Sequence, residues 1–188
     1  DSVAGLATEA KTALLFGSPA YRRDSGALRY LNSAYLLSPT SEVQGRSDKI
    51  HLVPFGEYVP LARWLPFLKW ITPIGDGFES GDRPWTFRLT GGATVAPVIC
   101  FEDVFPHGIR DHVRPEVDFI LCLTNDGWFA ESAAQWQHTA SAVFRSVENG
   151  VALVRVCNNG LTGWWDACGT PRDVLGDSTG QVYSPGIL

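Results

Sequence analysis

Apolar positions along the chain fall into short blocks of strand length, separated by polar turns and by stretches with helical spacing. Residues 3–11 read as the end of a helix, and 12–17 (TALLFG) as a buried strand closed by Gly17. Residues 30–37 and 42–46 flank a Ser-Pro-Thr-Ser turn and predict a hairpin. Residues 94–99 form another apolar block, after which 101–113 can continue as a helix. Strand then helix recurs: 117–124 (VDFILCLT), a polar Asn125-Asp126-Gly127 turn, a helix over 133–148 ending at Asn149-Gly150, and a strand over 151–157. Past Asn158-Asn159-Gly160, residues 162–175 predict a hairpin around Gly169. Strands alternating with helices predict an α/β fold whose buried strands are covered on both faces, in one domain over 1–188.

Composition narrows this picture. In 188 residues, 45% hydrophobic and 12% aromatic content supplies a core for one domain and argues against disorder. A net charge of −5 leaves no broad basic surface, so no nucleic-acid partner is expected. No run approaches the roughly 18 apolar residues of a membrane span, and Asp1-Ser2-Val3 does not open a leader peptide. With no initiating Met and a start inside a helix-like stretch, the chain is expected to be a fragment of a longer protein. Cys100, Cys122, Cys157 and Cys168 form no CxxC pair and have no His at ligand spacing; no metal site, redox motif or cofactor is expected.

Two places carry candidate chemistry. Cys100 follows the 94–99 strand directly and precedes the expected helix, at the carboxyl end of a strand, where α/β folds place their sites. A helix amino terminus there would favour its thiolate. A small buried core cysteine is the competing reading; Glu102 and Asp103 beside it favour function. The second place is KIHLVPFGEYVP, residues 49–60, where Lys49 and Glu57 stand among Val, Phe and Pro. Burying either charge is costly unless the two meet, and the prolines and aromatics describe a fixed loop able to hold them. The plainer alternative is a surface ion pair.

Taken in order, KIHLVPFGEYVP, VICFED (98–103), LTNDGWF (123–129), WQH (136–138) and NNGLTGWW (158–165) resemble the nitrilase superfamily, and within it the apolipoprotein N-acyltransferase branch. The resemblance runs from about Leu14 to about Gly180, and the long HLVPFGEYVP continuation is specific to that branch. It implies a four-layer αββα sandwich, here incomplete at its amino end, with a Glu-Lys-Cys triad. Cys100 matches the nucleophile, Lys49 the lysine, Glu57 the second acid of the lysine loop, and Glu102 the acid after the nucleophile. The Phe101 backbone N–H would face the oxyanion, although many relatives have Tyr at that position. The triad's general-base glutamate lies, in the family, in a Trp-Pro-Glu motif upstream of the first strand. Glu9 lacks that motif, so this stretch is expected to be catalytically incomplete.

The resemblance further implies a phospholipid acyl donor, a lipoprotein amino terminus as acceptor, and an inner-membrane protein with this domain in the periplasm. Trp64 and Phe67, in the Trp-, Phe- and Leu-rich segment 61–71 with Arg63 and Lys69, would contact lipid at the site mouth and the membrane surface. Trp128 would contact substrate from the rim. His138 on its helix reads as a structural residue, Cys122 and Cys157 as inert, and Cys168 as exposed. Competing functions are a soluble carbon–nitrogen amidohydrolase of the same superfamily and a non-catalytic lipid-binding relative. Without an upstream strand and helix, an unpaired sheet edge would make the isolated piece poorly soluble.

Overall fold

Strand pairing divides the chain into two sheets. The structure, a computed structural model, describes residues 2–24, 26–62, 64, 67, 77–113, 116–130 and 132–175. After α1 (Val3–Ala10), strands β1 (Leu14–Asp24), β2 (Ala27–Leu37) and β3 (Val43–Asp48) make an antiparallel sheet in the order β1-β2-β3. The second sheet orders six strands β4-β5-β6-β7-β8-β9: β4 (Phe87–Arg88), β5 (Thr94–Ile99), β6 (Phe119–Thr124), β7 (Ala152–Cys157), β8 (Gly163–Trp165) and β9 (Pro171–Val174). Its centre, β5-β6-β7, is parallel, and the flanking pairs are antiparallel. Helices α2 (Pro106–Val113) and α3 (Ala133–Asn149) supply the crossovers.

Alternation along β5 and β6 builds two cores. Val95, Ile99, Leu121 and Leu123 face Ala34 and Leu36 of β2, which closes the space between the sheets. Val98, Ile120 and Cys122 point the other way, and with Leu153 of β7 they pack on Ile109 of α2 and Ala142 of α3. Both faces of the central strands are buried, which accounts for their unbroken apolar runs. Helix α1 is tied to the three-stranded sheet by a 2.7 Å hydrogen bond between Thr8 and Ser41 at the β2–β3 turn. The two sheets thus pack face to face, α2 and α3 cover the six-stranded sheet, and α1, with Ala7 its one buried residue, sits beside the three-stranded sheet.

Two elements differ from the sequence expectation. β1 continues past Gly17 to Asp24, because β2 pairs with it residue for residue from Leu14↔Leu37 to Asp24↔Ala27; a polar outer half gives no hydrophobic signal for this. Residues 101–113 are not one helix. Cys100–Val104 form a 3₁₀ turn, Phe105 is extended (φ −101, ψ 97), and α2 starts at Pro106. Proline restricts the residue before it to extended backbone and cannot donate an N–H, so the chain breaks there and α2 begins anew with proline in its first turn.

Candidate active site

At the end of β5, Cys100 adopts φ +51, a left-handed conformation that costs a non-glycine residue about 1–3 kcal/mol and persists only where its surroundings fix it. Its thiol is free and half-buried. The expected helix dipole is not what faces it, since the short 3₁₀ turn, rather than α2, follows the cysteine. Phe101 is the second residue of that turn, where the first N–H groups of a helical segment are without partners inside it. The next two residues hold the turn in place, each through a different set of partners.

Glu102 ties the cysteine turn to the lysine loop. Its Oε2 accepts the N–H of Ile99 at 2.9 Å, while Oε1 accepts the N–H groups of Ile50 at 2.7 Å and His51 at 3.2 Å. One buried carboxylate thus spans positions 52 residues apart in sequence, beside Cys100 on one side and Lys49 on the other. His51 stacks on Phe105 with ring centroids 4.6 Å apart. A Cβ at Gly108 would come within 2.8 Å of the His51 ring, so glycine lets α2 approach the loop. A cavity of about 180 Å³ behind this junction is lined by Ile50, His51, Glu102, Ile109 and His112 among others, and Cys100 does not line it.

Lys49 immediately follows β3. Its backbone N–H donates to Asn32 O at 2.8 Å and its carbonyl accepts from Gly81 N–H at 2.7 Å. With its side chain 1% exposed, Nζ donates to Glu57 Oε2 at 2.7 Å. Glu57 also accepts the Val53 N–H at 2.8 Å and, on Oε1, the Asn32 side-chain amide at 2.9 Å. Every carboxylate contact here is charge-assisted, which offsets the desolvation of both ions. Gly81 is required where it stands, since a Cβ there would crowd the backbone carbonyl of Asp48. Lys49, Glu57, Glu102 and Cys100 are thereby gathered onto one connected junction of β2, β3 and β5.

The aromatic candidates stand apart from this junction, in solvent. Trp128, on the 3₁₀ turn Asp126–Phe129 after β6, is 85% exposed; Trp64 and Phe67 are 78% and 56% exposed. Arg63 and Lys69, and most of the rest of 61–71, lie outside the described residues. Among the described residues no group of three or more His, Cys, Asp or Glu side chains is arranged to hold a metal ion, and no helix is long and apolar enough to cross a membrane.

A buried charged cluster behind the cysteine turn escapes sequence reasoning. Arg155 of β7, fully buried, donates to Asp103 Oδ2 at 3.2 Å and to Asp126 Oδ2 at 2.6 Å. His138 lies between the same two acids, Nε2 3.0 Å from Asp103 Oδ1 and Nδ1 2.8 Å from Asp126 Oδ1. Burial opposes a charged ring, but the hydrogen bonds to Asp103 and Asp126, with the charge of Asp103, outweigh it and raise His138 from 6.5 to about 9. Asp126 is held below its ordinary value: burial pushes it up, and the bond to His138 and the charge of Arg155 more than reverse this. Cys122, walled in beside Asp103, has its thiol pushed well up by burial and by that carboxylate. Cys157 is half-buried and likewise raised by burial, and Cys168 is exposed.

Comparison with known proteins places this geometry. The family model described as carbon-nitrogen hydrolase matches residues 1–182. The chain is 49% identical over 171 residues to the apolipoprotein N-acyltransferase of Geobacter metallireducens, covering 90% of this chain and 32% of that protein. It is 38% identical over 143 residues to the one from Rhizobium rhizogenes, covering 75% of this chain and 27% of that protein. The chain thus spans about a third of the length of these curated relatives. Among solved structures it resembles an amidase from Nesterenkonia sp. AN1, in a glutamate-to-glutamine mutant with the acetamide moiety of fluoroacetamide added at the active-site cysteine. The TM-score is 0.66 at 20% identity, over 93% of this chain and 60% of the other. A cysteine-to-alanine mutant of the same amidase, in complex with butyramide, matches at a TM-score of 0.65 and 19% identity, over 93% of this chain and 61% of the other. The fold is therefore the nitrilase-type αββα sandwich.

Proposed function

The chain belongs to the carbon–nitrogen hydrolase family, and from that premise we propose that it is the nucleophile-bearing part of an apolipoprotein N-acyltransferase. The observation that carries this reading is Glu102, whose two oxygens join the strained Cys100 turn to the backbone beside Lys49. That bridge is how an enzyme holds a thiol and an ammonium at fixed separation. The reaction class is that of the apolipoprotein N-acyltransferases the chain is similar to.

In the proposed reaction the Cys100 sulfur attacks an ester carbonyl of a phospholipid, the S–C bond forms, and the carbonyl oxygen becomes an oxyanion. Lys49 and the Phe101 N–H are assigned to that oxyanion; one such donor contributes about a hundred- to thousandfold in rate. Collapse expels the lysophospholipid alkoxide, which takes a proton and leaves a thioester on Cys100. The α-amine of a lipoprotein's amino-terminal cysteine then attacks the thioester, giving an amide and the free thiol.

Glu57 and Glu102 are assigned to positioning, since their oxygens are already engaged by Lys49, Asn32 and backbone N–H groups. We assign the base that takes the thiol proton to the family's Trp-Pro-Glu glutamate, which none of these 188 residues matches. Trp64, Phe67 and Trp128 are assigned to the acyl chain and the membrane surface, their exposure being what a lipid-facing rim requires. The whole protein is placed at the bacterial inner membrane with this domain in the periplasm.

Incubating the full-length protein with phospholipid and measuring intact mass tests the reading. A Cys100-linked acyl adduct that Cys100→Ala abolishes and Cys122→Ala preserves is expected. Equal labelling of both variants, or release of ammonia from a small amide with no adduct from any phospholipid, would defeat it.

A further inference from the structure

Two 3₁₀ turns leave the carboxyl ends of neighbouring parallel strands, Cys100–Val104 after β5 and Asp126–Phe129 after β6. The first carries the thiol and the second carries Trp128. Asp103 and Asp126, one from each turn, are both buried and point to the helix side of the sheet. In register across the strands, Val98 pairs with Cys122 and Cys122 with Arg155. Arg155 therefore reaches beneath Cys122, its Nη1 3.4 Å from the sulfur, and its two Nη atoms divide between the two acids. His138 of α3 closes the circuit on the remaining two oxygens.

Chemistry fixes the protonation state of this ring of four. Both nitrogens of His138 face carboxylate oxygens, and a neutral imidazole would set a lone pair against one of them. The imidazolium sets a positive charge between both acids. Two carboxylates, one guanidinium and one imidazolium then sum to zero, so the ring is neutral as well as closed. Every carboxylate oxygen in it has a cationic partner, and Thr124 adds a further donor to Asp126 at 2.9 Å. The other neighbours of the imidazolium are the Arg155 guanidinium, with Nη2 3.3 Å from Nδ1, and the Phe129 ring, edge-on with its centroid 6.0 Å away.

We propose that the Asp103–His138–Asp126–Arg155 ring is a positioning device that locks the strained Cys100 turn to the Trp128 turn, with Arg155 its principal positioning residue. None of the four is assigned a contact with substrate; they act through Asp103, three residues past the nucleophile. A left-handed cysteine needs its turn pinned, and Glu102 pins it from the lysine side while Asp103 pins it from the helix side. The proposal rests on Cys100 being the nucleophile, but not on the identity of the acyl donor.

Arg155→Lys tests it in the full-length protein, because it keeps the charge and loses the two-armed bridge. Iodoacetamide alkylation of Cys100, followed by peptide mass spectrometry with exposed Cys168 as internal reference, is expected to slow by about tenfold while Cys168 is unchanged. Acyl transfer should lose kcat by a similar factor with KM for the donor held within about threefold. His138→Gln, which keeps a hydrogen-bonding side chain but not the charge, should act in the same direction and serves if Arg155→Lys does not fold. Wild-type Cys100 alkylation in a folded variant would overturn the proposal. Alkylation that falls as expected in a protein that never acylates an amine would sustain the positioning role and defeat the functional reading alone.

Discussion

Two buried charge clusters lie on either side of Cys100, and they are built to different rules. On the helix side, Arg155 and His138 meet Asp103 and Asp126 in a closed, neutral ring. On the other side, Lys49 meets Glu57, and among the described residues Glu102 is held by backbone N–H groups. Among the described residues the Lys49 ammonium makes one hydrogen bond, to Glu57, although it has three N–H groups to give. A ring of matched opposite charges, closed on itself, holds geometry. On the proposed reading, the Lys49 cluster keeps donors free to stabilise new negative charge, and Glu57 holds the cation in place. Under that reading, reactivity and rigidity are divided between the two sides of one strand end.

The largest effect should come from removing the spare donors. Lys49→Met is expected to lower acyl transfer by about a hundred- to thousandfold or more, measured as single-turnover thioester formation. Stability should change far less, because Glu57 keeps Asn32 and the Val53 N–H. Arg155→Met does the reverse: it leaves Asp103 and Asp126 with His138 as their shared cation and one uncompensated negative charge in the core, which should cost about 3–5 kcal/mol in urea unfolding.

Next in size is the pH dependence of stability. His138 is raised from 6.5 to about 9 in the folded protein, so its contribution is complete below pH 6.5 and is lost as pH climbs through 9. The loss should be about 3 kcal/mol, and His138→Gln should flatten this alkaline limb. Asp126 is depressed from 3.8, so its contribution holds above that pH and disappears as acid protonates it. Smallest is Trp128→Ala, at a side chain 85% exposed: unfolding free energy should stay within about 0.5 kcal/mol, while KM for a phospholipid donor rises. A loss of stability there would show the turn to be part of the locked side.

Much of the fold is legible in the chain. β5 and β6 announce themselves because both their faces are buried, so their residues are apolar without interruption. Length and the ending at Gly150 place α3, but its inward face is not readable: Gln135, His138, Thr139, Arg145 and Ser146 are buried while Trp136, Phe144 and Val147 are exposed. Periodicity assigns polar residues to solvent, and this helix reverses the rule because its polar side chains find partners in the turns that leave the sheet or on the helix itself. The outer half of β1 is hidden for a related reason, since pairing with β2, and not burial, makes it a strand.

Read from the residues alone, the strand that leads into Cys100, the lysine loop with Lys49 and Glu57, and the family their motifs resemble are all accessible. Each of these lives in a short contiguous run whose chemistry needs no distant partner to be recognised. What the remaining charges do depends on the folded arrangement. Asp103 and Arg155 are 52 positions apart, as are Ile50 and Glu102, so no local pattern links them. A charge is made structural or reactive by how dry its surroundings are and by which opposite charge the fold delivers to it, and neither property is local in sequence.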